Sequence, residues 1–163
     1  MCFGLVNVEQ NTQQSTRKDT EKMLKIGSNI LSIWGGINFL LAALILTTVV
    51  IFKANSPLLG MVFNKPEIAA LDARVIASLN TLTILYNSCS VMVSVLVWTI
   101  IRKHLIAGEK WAFWLLLFVI GFIEIMAFIA SAQVGHARWQ VNVLLSVLYI
   151  VGIGVTAYAI FKQ

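Results

Sequence analysis

The side chains able to do chemistry in this 163-residue chain are few and scattered. Glu124 stands alone in an apolar run, residues 111–134. An acid at the centre of a bilayer costs a few kcal/mol if it stays ionised, and carrying a proton removes that cost. Glu124 is therefore a candidate proton or ligand site, or else a protonated donor bonding to a neighbouring helix. Its candidate partners are Asn80, Asn87 and Tyr149. Asn80, Thr83, Asn87, Ser90 and Ser94 follow at spacings of 3, 4, 3 and 4 residues, which sets them on one helical stripe. Polar groups facing lipid tails are costly, so this stripe is expected to face the interior. There it either bonds between helices or lines a polar cavity for a ligand, water or ion. Ser28, Ser32 and Gly36, four residues apart, form a small-residue stripe for close helix packing. Asn142, Ser146, Tyr149 and Thr156 share roughly one face of the last apolar run.

The remaining reactive groups do not converge. His104 and His136 fall in loops expected on opposite sides of a membrane, so they cannot share a metal within one chain. Cys2 and Cys89 form no C-x-x-C pair. Cys2 is an acylation candidate or a bystander thiol. No second acid lies in the apolar runs to form an acid/base pair with Glu124. No catalytic, cofactor or metal site is expected, and the reading leans away from an enzyme.

The elements that must position these residues follow from composition. Hydrophobic residues make up 59% of the chain, charged residues 12%, and the mean hydropathy is +0.86. A soluble domain carries about 45–50% apolar and about 25% charged residues. This excludes most cytosolic enzymes, disordered proteins and nucleic-acid-binding domains, and nucleic acid is not an expected partner. Four charge-poor runs exceed the roughly 20 residues that span a hydrocarbon core. A backbone in lipid must satisfy its own hydrogen bonds, so each run should be helical.

The expected fold is all-α: an integral membrane, antiparallel bundle of four transmembrane helices, over about 26–52, 68–101, 111–134 and 139–161. Residues 1–25 form a polar cytoplasmic tail and a short amphipathic extension, and residues 26–163 a single membrane domain. Residues 1–15 read as a loose tail. Thr16 and Asp19 fit a capping pattern that starts a helix there. Pro57 and Pro66 mark the main loop, with Pro66-Glu67 suited to a first helical turn after Asn64 or Lys65. The apolar stretch 58–63 between them is expected to lie on the bilayer interface or to plug the bundle. The other loops, 102–110 and 135–138, are short and enforce antiparallel neighbours.

Orientation follows from the basic residues. The tail, the second loop and the C-terminus hold 8 Lys and Arg, and the other side holds 4 of the 12 in total. That excess places both termini in the cytoplasm of a multi-pass protein, with the bacterial inner membrane as the expected location. Trp98, Trp111 and Trp114 fall at the predicted inner interface and Trp139 at the outer one. The basic stretch 102–110 reads as an orientation signal or a site for anionic head groups.

Residues 102–114, with Gly108-Glu109-Lys110-Trp111-Ala112-Phe113-Trp114, resemble a loop of the small DoxX-like four-helix bacterial membrane proteins. The resemblance covers the last three helices. It implies a four-helix bundle and no assigned reaction. Sterol-isomerase and ligand-binding relatives of that size imply paired intramembrane acids, where this chain offers only Glu124.

Two functions remain from the sequence. The first is an accessory or structural subunit working by helix association, with the bilayer and a membrane-protein partner or a second copy as its contacts. The second is binding or proton-coupled transport of a small apolar or cationic molecule at a pocket around Glu124.

Overall fold

A computed structural model of the chain describes the backbone of residues 3–52, 55–57, 59–133 and 139–162. Cys2, His136 and Arg138 lie outside the described residues, as do the loop positions 134–138. The described residues are helical and contain no strand. Four of the helices are long and apolar enough to cross a membrane.

The first helix, α1 (Phe3–Leu46), is much longer than expected. Over residues 3–15 the expected loose tail does not hold, nor does the helix start at Thr16, because helix runs unbroken from Phe3 into the apolar run. The physical reason lies in what the polar segment lacks. No Gly or Pro occurs between Leu5 and Ile26, and Gln, Glu, Lys and Leu cost little in a helix. A helix already nucleated by the apolar run gains one backbone bond for each residue added. Arg17 and Glu21, one turn apart, form an ion pair at 3.2 Å. At about 1.5 Å per residue, 44 residues make roughly 66 Å, more than twice a hydrocarbon thickness of about 30 Å. α1 ends in a wide π-type turn, Thr47–Ile51, closed by the Phe52 N–H donating to the Thr47 carbonyl at 3.3 Å.

The main loop holds two short helices, α2 (Leu59–Val62) and α3 (Lys65–Ala70). α3 starts with a capping box. The Glu67 N–H donates to Asn64 Oδ1 at 3.0 Å, and the Asn64 N–H donates to Glu67 Oε2 at 2.8 Å. The second long helix does not run on from here, contrary to the expected start near residue 68. Leu71 and Asp72 are extended, and the Asp72 carboxylate caps a new helix by accepting from the Arg74 N–H at 2.6 Å. An Asp whose side chain reaches the backbone two residues on favours this restart over helix continuation.

That helix is α4 (Ala73–Ile100), extended by a second π-type turn, Ile101–Leu105. Gly108 turns the chain at φ 79°, a left-handed conformation that glycine adopts without strain. α5 (Lys110–Gln133) and α6 (Trp139–Phe161) agree with the expected third and fourth runs to about a residue.

α1 is the central strut. It packs along α6 on one side and α4 on the other, while α5 packs mainly on α6. Two glycines set the α1–α6 approach. A Cβ at Gly27 would lie 2.3 Å from Thr156 Oγ1, and one at Gly152 would lie 2.8 Å from the Leu31 side chain. Small residues allow backbones this close, which increases the dispersion contact between the two helices. Leu31, Trp34, Val97, Ile101, Leu116 and Ile120 belong to the shared core. The outward faces are strongly apolar, with Leu40, Leu44, Leu85, Phe118, Phe122 and Ile150 exposed on all four long helices.

Several charged residues meet at the pole where α1 begins and α6 ends. Asp19 and Lys22 of α1 lie beside Tyr158 and Lys162 at the end of α6. Lys110 at the start of α5 stands 6.0 Å over the Phe161 ring.

Candidate functional site

Glu124 is buried, and its carboxylate is held from two other helices. Trp34 of α1 donates its indole N–H to Oε1 at 2.7 Å. Ser146 of α6 donates its hydroxyl to Oε2. Each oxygen thus meets a neutral donor, which offsets part of the cost of burying the carboxyl. Three helices, α1, α5 and α6, are joined at this one side chain.

Two further bonds extend the contact along α5 and α6. Asn142 donates its amide to the Ala127 carbonyl at 3.2 Å, and the Tyr149 hydroxyl donates to the Leu117 carbonyl at 2.7 Å. Gly121, one turn before Glu124, makes room for that phenol: a Cβ there would sit 2.9 Å from the Tyr149 hydroxyl oxygen. Positions 142, 146 and 149 of α6 therefore meet positions 127, 124 and 117 of α5 in turn. The polar face of α6 read from the sequence is used here, as packing contacts to carbonyls and to one acid.

Among the residues expected to surround Glu124, Tyr149 alone lies on this seam, and its hydroxyl goes to Leu117 rather than to the carboxylate. Asn80 and Asn87 are engaged elsewhere, so the expected Glu124–Asn80–Asn87 grouping is corrected. Asn80 accepts from the Ser56 N–H at 2.8 Å. The Ser56 and Thr83 hydroxyls bond at 2.6 Å. The Asn87 amide donates to the Thr83 carbonyl of its own helix at 2.7 Å. The stripe does face inward, with Thr83, Asn87 and Ser94 buried. Its upper part anchors the main loop: Ser56 and Leu59 are both buried, so the loop plugs this end of the bundle.

The sequence reading missed Trp34 as a site residue. Tryptophan in a membrane protein favours the interface, where its N–H meets water. Trp34 instead lies well inside the first apolar run, where an indole N–H needs a protein acceptor. Glu124 is the one acid in the four runs, so an out-of-place tryptophan was the available signal.

The small-residue stripe divides between two faces. Ser28 is fully buried, its hydroxyl has no hydrogen-bond partner among the described residues, and its carbonyl accepts from the Ser32 hydroxyl at 2.8 Å. Gly36 opens the other way, and a Cβ there would meet nothing within 4 Å. It lies with Gly35, Phe39, Ser94, Val95 and Trp98 in an apolar cleft of about 370 Å³ between α1 and α4.

The turn between α4 and α5 is pinned by Glu109. Its carboxylate contacts His104 Nδ1 at 2.9 Å and accepts the Trp111 indole N–H at 2.5 Å. The His104 and Trp111 rings lie 4.8 Å apart, and the Arg102 guanidinium stands 5.5 Å over the Trp98 ring. Among the described residues, no three His, Cys, Asp or Glu side chains gather as a metal site.

Comparison of the chain with protein-family models, with curated proteins and with solved structures returned no match.

Proposed function

We propose that this chain is an integral membrane protein that works by helix association, as an accessory or structural subunit of a membrane complex or as a homo-oligomer. In this reading the four long helices form an antiparallel bundle across the bilayer, with both termini in the cytoplasm of a bacterial inner membrane. The exposed apolar faces and the pole of charged residues support that placement. The resemblance of the 102–114 loop to DoxX-like proteins supports the bundle and adds no reaction.

The observation that carries the association reading is the cleft at Gly36. Two glycines and Ser94 form a depression between α1 and α4, walled by Phe39, Val95 and Trp98, and a Cβ at Gly36 would meet nothing within 4 Å. A partner helix gains close backbone approach and dispersion contact at such a site, which is how helices recognise one another in lipid. Gly36→Leu fills the cleft from its floor. The expected result is loss of the oligomer, or of the co-purifying partner, with an unchanged melting temperature in detergent. A wild-type chain that runs as a monomer and binds nothing refutes the reading, as does a Gly36→Leu chain that associates normally.

The rival reading, ligand binding or proton-coupled transport at Glu124, draws on the burial of that acid. Both carboxylate oxygens are already met by protein donors, and Asn80 and Asn87 bond elsewhere. These contacts favour the helix-joining role. Ligand uptake or binding over pH 5–9 that is abolished by Glu124→Gln, in a chain of wild-type stability, would reverse that preference.

A further inference from the structure

The cleft between the early turns of α1 and the last turn of α6 combines charge and apolar wall in one place. Asp19, Lys22, Met23 and Ile26 lie along one face of α1 at helical spacing, and Tyr158 and Lys162 face them from α6. The cleft encloses about 420 Å³. Its depth matches a definite level of a membrane. Ile26 begins the first run without ionisable side chains, whereas Lys22 and Lys25 lie just before it. The cleft therefore straddles the step from polar head groups to hydrocarbon.

We propose that this cleft binds the headgroup of an anionic phospholipid, with the phosphate between Lys22 and Lys162 and an acyl chain against Met23 and Ile26. This rests on the membrane placement proposed above but not on helix association. Lys162 is held in position by its own helix. Its ammonium donates to the Tyr158 hydroxyl at 2.6 Å and stands 4.8 Å over that ring. The hydrogen bond to Tyr158 raises the Lys162 pKa above the ordinary lysine value, so the group stays charged at neutral pH. Two lysines against one aspartate leave the lining with a single net positive charge, which matches a phosphodiester monoanion. Asp19 opposes a free phosphate dianion, and Met23 and Ile26 reward a molecule that carries a hydrocarbon tail.

The test uses the full chain in detergent, with phosphatidylglycerol or phosphatidylcholine added and retained lipid counted by native mass spectrometry. Retention of phosphatidylglycerol over phosphatidylcholine is expected, with about a fivefold loss of affinity for Lys22→Gln or Lys162→Gln and about 30-fold for both. Lys65→Gln, exposed at the start of α3 in the main loop, is the control and should change nothing. Helicity by circular dichroism verifies that each variant is folded. Three outcomes overturn the proposal. They are unchanged retention in the double variant, an equal loss in the Lys65 control, or displacement of the lipid by inorganic phosphate as readily as by phosphatidylglycerol. Failure of the membrane placement shows separately, as a chain that stays dispersed without detergent.

Discussion

The Glu124 contact yields the sharpest prediction, because it joins three helices through one side chain. Trp34→Phe keeps most of the ring packing and removes only the indole N–H that reaches Oε1 at 2.7 Å. If the carboxyl is neutral, intramembrane hydrogen bonds set the scale, about 0.6 kcal/mol on average and about 1.7 at most. If it is ionised, a bond to a charged acceptor contributes about 1.5–3 kcal/mol. Glu124→Leu removes both acceptors at once. It strands the Trp34 N–H and the Ser146 hydroxyl in a buried site, at about 1–3 kcal/mol each. Glu124→Gln keeps one carbonyl oxygen for one donor and should cost less than Glu124→Leu. The assay is reversible unfolding in mixed micelles on a double-mutant cycle of Trp34→Phe and Glu124→Leu. The expected coupling energy is at least about 0.6 kcal/mol, and the double variant should be little worse than Glu124→Leu alone. Strict additivity, or a Glu124→Leu chain as stable as wild type, would refute the assignment of Glu124 as the clasp of α1, α5 and α6.

Two further predictions concern the packing and the loop. Gly27→Ala should destabilise the chain by about 2 kcal/mol or more, because its Cβ would overlap Thr156 Oγ1 and press on the α6 backbone. Gly36→Ala, with open space at the same test position, should be neutral or slightly stabilising by thermal melting. Equal melting temperatures for the two variants would contradict the α1–α6 crossing described. Asn80→Ala removes the acceptor for the Ser56 N–H. Hydrogen exchange at Ser56 should then quicken by about five- to tenfold, the equivalent of roughly 1–1.5 kcal/mol, while α5 and α6 stay protected. Unchanged exchange at Ser56 would mean that the loop is held by something other than the α4 stripe.

Much of this protein was legible in its sequence, and the reason is the backbone's need for hydrogen bonds. A long apolar run satisfies its backbone as a helix, so residues 111–133, with Glu124 as their one acid, and 139–161 read as helices almost to the residue. The inward turn of Thr83, Asn87 and Ser94 was legible as well, since polarity and a 3–4 spacing leave one buried face. The Asn64–Glu67 cap could be read from local chemistry alone. The length of α1 could not, because a polar segment with few helix breakers is decided by the helix it continues. Nor could the restart at Asp72, where one side-chain bond competes with several backbone bonds.

The sequence by itself determined that the four long apolar runs are helical and which of their faces are polar, because both follow from bonding within a single helix. Which polar group meets which was decided only by the tertiary structure. Glu124 finds Trp34 and Ser146 because α1 and α6, brought close at Gly27 and Gly152, both meet α5 at that level, and Asn80 finds Ser56 because the main loop folds onto α4. A pairing between helices depends on their relative rotation and height, and no local pattern within either helix encodes those two quantities.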